Sequence, residues 1–521
     1  MDTEQKITCP LCKDKVSQLV FQYHVESERN VLEKIKYGNP GWVEKNGACS
    51  RCIDYYEIKI DRLGGIIPEA GPFFPVKSPD DFYVIPTPVR LNADPKYTGK
   101  GITICFIDSG FYPHPDITKT NNRILKIVDI TNPKNTEKYF SKPHNESWHG
   151  TMTTVACAGN GYLSNGLFKG IASDANLVLI KTQDENGHIT DASIAKAIKW
   201  ANRNKNKFNI KIINLSVCSD EPVSYLHSEV DKAAEEAIAN GISVVAAVGN
   251  DENAGIKPPA NSPNVIAVGG YNDNNTLDKN NFELYHSTYG QTVDGFHKPE
   301  LIAHSIWIAA PILPNTKEKT EAEKLHSEFK KKPTEDLKNK IQQTKYFSSH
   351  YMHVDGTSFA APIISSVIAQ ILEANPGLTT QQVREIILST ATKLSGASIN
   401  RQGFGLINAR KAVAMALHVN GGENVIASPQ INLKNKTVTF FHKESNAEKI
   451  VLSASFNNWS RNENFFVPVK NGLWKIEIPI PEKGTHQYKF LIDEATWKPD
   501  IYNPMRESDG FNDWNSKLII Q

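Results

Sequence analysis

Between residues 101 and 270 the chain alternates two textures, and that alternation constrains its fold more than any other feature. GITICFIDSG, ANLVLIKTQD, IKIINLSV, ISVVAAVGN and NVIAVGG are short, almost wholly apolar runs. A strand with one face in water alternates apolar and polar residues, so strands apolar throughout need cover on both faces. DASIAKAIKWANRN and VSYLHSEVDKAAEEAIANG fall between them with helical spacing, and Gly241 supplies a C-cap. The pattern predicts an α/β domain: a mostly parallel sheet flanked by helices, with its chemistry in loops at the strand C-termini.

Other textures flank this one. Residues 437–521 carry TVTFFHK, KIVLSASF, LWKIEIPI and HQYKFLID, which predict a separate all-β sandwich joined through a linker over 419–436. Residues 61–97 are rich in Pro and Gly and predict a connector. The charged run 315–346 interrupts the α/β pattern. Leu325/Phe329 and Leu337/Ile341 are spaced i,i+4 around Pro333, which predicts two short helices with a break. This insertion reads as a solvated excursion or as a lid or docking element. With 58 Lys+Arg against 57 Asp+Glu, net charge argues for no nucleic-acid partner. No run approaches 18 apolar residues, so no membrane span is expected.

Four of the seven cysteines fall in the first 52 residues, as C-P-L-C and C-S-R-C. Cys9, Cys12, Cys49 and Cys52 could close a tetrahedral thiolate cage, so one structural Zn²⁺ held by residues 1–60 is expected, with no organic cofactor. Two redox dithiols would share this spacing. Paired thiols behind an N-terminus without the features of a secretory signal predict a cytoplasmic location.

Four short segments point to catalysis: I-D-S-G at 107–110, H-G-T at 149–151, A-A-V-G-N at 246–250 and G-T-S-F-A-A-P at 356–362. A serine hydroxyl needs an adjacent base to attack at neutral pH; histidine suits that task, and a buried carboxylate can fix its tautomer. Ser358 precedes an apolar helical run, which would place its hydroxyl at a helix N-terminus. In this order the segments resemble the subtilisin-like serine peptidase family over residues 98–418. The resemblance implies a subtilisin-like fold and a serine endopeptidase acting on a polypeptide substrate through an acyl-enzyme. It implies Asp108, His149 and Ser358 as the triad and Asn250 as oxyanion donor. Leu215, Ser216, Val217 and Cys218 would then flank the substrate, with Ala246, Ala247 and Gly249 as the opposite wall of the pocket. Two departures stand out: Met152 replaces a second histidine common in the family, and Cys218 replaces a glycine. A scaffold or glycan-targeted binding protein on a peptidase fold is the alternative.

SFNNWS at 455–460 and the segments 472–497 and 503–520 resemble the glycogen-binding early-set β-sandwich. That resemblance implies Trp459 and Trp497 as sugar-stacking rings and Lys489 and Asn515 as hydroxyl contacts. A glycan or docking partner is therefore expected through this module.

Overall fold

The computed structural model describes residues 7–8, 15–16, 35–36, 39–43, 84–277, 281–422, 427–470 and 472–521. Its centre is a sheet of seven parallel strands: β1 (Thr103–Asp108), β2 (Ile124–Asp129), β3 (Asn176–Lys181), β4 (Ile210–Leu215), β5 (Ser243–Ala247), β6 (Ile266–Asn272) and β7 (Leu301–His304). They lie in the order β7-β6-β5-β4-β1-β3-β2, and Glu283–Leu284 adds an antiparallel pair on β6. The apolar runs bury both faces. On β1, Ile104 and Phe106 join one core while Cys105 and Ile107 join the other.

Helices cover both faces. α1 (Ser147–Ala158) packs with the first core, and α2 (Asp191–Arg203) and α3 (Glu229–Ala239) cover the second. Ser228 caps α3, and Thr190 forms a capping box on α2. The central helix α6 (Thr357–Ala374) is long and apolar enough to cross a membrane by composition alone, yet 83% of that window is buried inside the protein. Its apolar perimeter reflects burial on all sides.

Pro362 lies in the second turn of α6, beyond the first-turn position where a proline costs no hydrogen bond. The Ser358 carbonyl four residues back therefore cannot receive the usual helical N–H. The Ser216 hydroxyl donates to it instead, at 2.9 Å. This Ser216 also accepts from the Asn214 amide (3.1 Å), and Ser365 donates to Asn214 Oδ1 (2.9 Å). A buried polar chain thus ties the end of β4 to the helix that carries Ser358.

The insertion folds as α4 (Lys317–Lys331) and α5 (Glu335–Gln342), separated at Pro333. It joins two antiparallel strands, β8 (Ile308–Pro311) and β9 (Tyr351–Val354). α4 runs longer than the short helix its sequence predicts. Ala322, Leu325 and Ile341 are buried, so the unit is seated and not merely solvated.

Residues 430–520 form two antiparallel sheets. One holds β10 (Gln430–Asn432), β11 (Thr437–Lys443), β13 (Val467–Pro468) and β14 (Leu473–Pro479). The other holds β12 (Ile450–Ala454), β15 (Gly484–Ile492), β16 (Thr496–Lys498), β17 (Arg506–Ser508) and β18 (Trp514–Ile520). Phe440, Leu452, Tyr488 and Phe490 fill the space between them.

This β-rich region is anchored to the α/β sheet by Trp514, whose place the sequence left open. Its indole is fully buried, donates to the Gly403 carbonyl (3.3 Å) and lies 4.7 Å from the His297 ring. Arg506 stacks between Phe404 and Trp514 and donates to the His297 carbonyl (2.9 Å). Glu300 offsets the buried cations, with Lys298 at 2.8 Å and Arg384 at 3.1 Å.

The expectation of an N-terminal zinc unit is corrected. Among the described residues no group of three or more His, Cys, Asp or Glu could hold a metal ion. Cys9, Cys12, Cys49 and Cys52 lie outside the described residues, as do connector residues 61–83. The architecture is an α/β fold with a β-rich C-terminal region, and no zinc-binding unit is indicated among the described residues.

Trp514→Ala is expected to destabilise the protein by about 3–5 kcal/mol, the usual cost of truncating a buried aromatic. Trp459→Ala, at a partly exposed ring, is expected to cost less than about 0.5 kcal/mol. Denaturant unfolding of both variants checks the contrast.

Candidate active site

The site forms where β1, α1, β5 and the start of α6 converge beyond the strand C-termini. Asp108 ends β1 and is 1% exposed. Its Oδ1 accepts from the Ser109 backbone N–H and the His149 Nδ1–H, both at 2.7 Å, and Oδ2 accepts from the Thr153 hydroxyl at 3.1 Å. Such donors make a buried carboxylate tolerable. His149 sits in the first turn of α1, and the next residue must be glycine. A Cβ on Gly150 would meet the Gly110 carbonyl at 2.3 Å and the Asp108 Cβ at 2.9 Å.

Burial pushes the His149 imidazole towards its neutral form, but the Asp108 charge and hydrogen bond outweigh this and raise its pKa above the ordinary value. With Nδ1 bonded to Asp108, Nε2 is left as the basic nitrogen. Ser358 is the second residue of α6, preceded by Gly356 at φ +130, a conformation L side chains rarely adopt.

Asn250 follows β5. Its Oδ1 accepts from the Thr357 backbone N–H and hydroxyl, both at 2.8 Å. A backbone donor fixes which end of the amide is oxygen, so Nδ2 is the end available to donate to a ligand. His149, Asn250 and Ser358 line one cavity of about 890 Å³. Asp108, His149, Ser216 and Val217 line an adjoining one of about 660 Å³.

The expected substrate-flanking residues divide. Ser216 and Val217 line the second cavity, and Cys218 is exposed beside them. Gly249 donates through its N–H to the Thr357 hydroxyl, and Ala247 joins the α6-side core. The Leu215 and Ala246 side chains are fully buried in the core beneath α2 and α3, so only their backbones are placed to meet a substrate. Both still lie within strands, where successive side chains point to opposite faces and both faces are covered.

The assignment of residues 437–521 as a glycogen-binding module is corrected as well. Lys489 Nζ is buried and ion-paired to Asp509 (2.6 Å) and Asp513 (3.2 Å), and the Asn515 amide donates to Gln487 (2.8 Å). The groups meant for sugar hydroxyls are thus engaged within the chain. Trp497 is partly buried under Arg461, at 5.4 Å from its ring, and Trp459 is partly exposed.

A histidine oriented by a buried carboxylate, sharing a cavity with a serine at a helix N-terminus, defines the class as a serine hydrolase on a parallel α/β sheet. The Subtilase family model matches residues 99–405, more than half of the chain, and the chain belongs to that family. It is 31% identical over 325 residues to the serine protease AprX of Bacillus subtilis, covering 61% of this chain and 67% of that protein. It is 28% identical over 316 residues to a thermostable alkaline protease of Halalkalibacterium halodurans, covering 60% and 68%. Subtilisin BL of Lederbergia lenta is 28% identical over 317 residues, covering 60% of this chain and 91% of that one. The protein is a serine endopeptidase of the subtilisin-like family, and its substrate is a polypeptide. These matches lend no support to a zinc site or a glycan module.

A general base works only when neutral. The kcat/KM of the enzyme should therefore rise with pH through a midpoint above 6.5. Asp108→Asn should move that midpoint downward and depress the plateau, because burial would then act on the imidazole unopposed. The raised pKa also stabilises the fold below the unfolded histidine value, a contribution lost as pH rises through the folded value. Rate profiles and imidazole NMR titration check the direction.

Proposed function

We propose that Ser358 is the nucleophile, His149 the general base and then acid, Asp108 the group that orients and stabilises the imidazolium, and Asn250 an oxyanion donor. The observation that carries this reading is the 2.7 Å His149–Asp108 hydrogen bond beside a cavity that also holds Ser358 and Asn250. The peptide backbone on the acyl side lies along Ser216–Val217. Attack by the Ser358 Oγ on the scissile carbonyl transfers its proton to His149 Nε2. The carbonyl oxygen becomes an oxyanion and receives hydrogen bonds from Asn250 Nδ2 and the Ser358 N–H. Collapse breaks the C–N bond, and His149 returns the proton to the leaving amine. Water then enters, and the same groups hydrolyse the acyl-enzyme in reverse order.

The α6 N-terminus supports this reading, because the positive end of a helix dipole favours developing negative charge. The Ser216 contact with the Ser358 carbonyl supports it too, since it fixes the nucleophile's backbone against the strand that would carry substrate. The apolar Val217 on the acyl-side cavity favours a small or apolar residue before the scissile bond. We place this activity in the cytoplasm; the free thiol of exposed Cys218 fits a reducing compartment.

Ser358→Ala should fold normally and lose nearly all turnover. Asn250→Ala should lose about 2.7–4 kcal/mol of transition-state stabilisation, the magnitude known for this family's own oxyanion donor. Steady-state kinetics on a peptide substrate test both, and full activity in purified Ser358→Ala would refute the assignment.

A further inference from the structure

The two cavities that meet at His149 are built from different material. The acyl-side cavity carries the strand edge Ser216–Val217. The other opens from Ser358 and His149 towards the insertion, and Thr316, Glu318 and Lys345 of that insertion line it. With the acyl half of the substrate along Ser216–Val217, the half beyond the scissile bond extends past Ser358 into this second cavity, the one that Ser358 lines.

The floor of this cavity is apolar. Met152 stands one turn beyond His149 on α1, and Phe359 follows Ser358. Ile312, Leu313, Met352 and Val354, from β9 and the segment after β8, complete it. All six are buried or partly buried within the fold. Met152 stands where a second histidine would be common in the family, which removes a polar ring from this wall. Two methionines give it soft, adaptable packing. Lys142, Glu318 and Lys345 line the same cavity, and Lys345 pairs with Asp355 at 2.6 Å.

The insertion is held firmly enough to act as a wall. Lys319 donates to the Ser349 carbonyl (2.6 Å), pairs with Glu323 (3.1 Å) and meets the His350 ring (2.7 Å). The Ile312 N–H donates to the His350 carbonyl (2.8 Å), which ties the base of the excursion. Buried Ala322, Leu325 and Ile341 seat the two helices.

We infer that this cavity binds the substrate residues that follow the scissile bond, and that Met152 together with the 315–346 insertion selects a large apolar side chain directly after the cut. The inference rests on the triad reading and deepens it. The cavity adjoins the reacting atoms and has room for more than one residue. Met152 and Phe359, on the elements that carry His149 and Ser358, belong to its apolar floor, and a large apolar side chain set against that floor gains by leaving water.

The test uses the full chain and quenched peptides of one sequence, varied only after the scissile bond as Leu, Met, Phe, Ala, Asp or Lys. A p-nitroanilide with the same acyl half runs in parallel, since its leaving group carries no residue into the cavity. The Leu, Met and Phe peptides should exceed the Asp peptide in kcat/KM by at least about tenfold. Met152→Gln, and replacement of 315–346 by a short Gly/Ser linker, should each shrink that ratio severalfold. A flat series in the unaltered enzyme overturns the inference while leaving the triad reading intact. So does an undiminished ratio in Met152→Gln, which settles the matter even if the linker variant fails to fold. Failure of the unaltered enzyme to cleave both peptides and anilide overturns the triad reading, and this inference with it.

Discussion

The structure depends on one buried carboxylate. Asp108 sits at the end of β1, an interior strand of the sheet, almost without solvent, and a charge in that place survives only if donors surround it. Ser109 supplies its backbone N–H, Thr153 its hydroxyl, and His149 its Nδ1–H. Two of these donors come from α1, so α1 must approach β1 closely, and Gly150 is what permits that approach. The same hydrogen bond that satisfies Asp108 fixes the tautomer of His149 and raises its basicity. Folding and catalysis thus draw on the same contacts.

The nucleophile is held by a second set of constraints. Pro362 withholds an N–H from the Ser358 carbonyl, and Ser216 provides a hydroxyl in its place. Asn214 and Ser365 continue that chain into the core. Asn250 takes its orientation from Thr357, the residue before Ser358. These side chains come from β4, the end of β5 and α6, so the site is assembled by the sheet and not by any one loop. Trp514 and Arg506 make the C-terminal β-rich region part of the same packed body.

Much of this was legible in the sequence because burial leaves a periodic trace. Five apolar runs announced buried parallel strands, and the alternation with helices gave the layered fold. The segments around Asp108, His149, Asn250 and Ser358 showed the chemistry, since each places a reactive side chain beside glycine or small residues at the end of an element. Local pattern could not show which residues face which way at a strand end, and Leu215 and Ala246 turn into the core. Nor could it show that Pro362 stands beyond the first turn, or that Trp514 reaches across to Gly403 and His297, more than a hundred residues away in the chain. Lys489 and Asn515 matched a sugar-binding pattern by position, but long-range partners decide what a polar group does, and here those partners lie within the chain. The cysteine spacing of the N-terminus suggested a metal that the described residues do not support.

The central claim is that the Ser358 hydroxyl is activated by the His149–Asp108 pair. The most direct measurement is reaction of the full chain with a fluorophosphonate, followed by mass-spectrometric location of the adduct. The account predicts one adduct per chain, on Ser358, formed rapidly in the native protein and far more slowly in His149→Ala. Absence of labelling in folded protein, or labelling at another serine with Ser358 untouched, would contradict it.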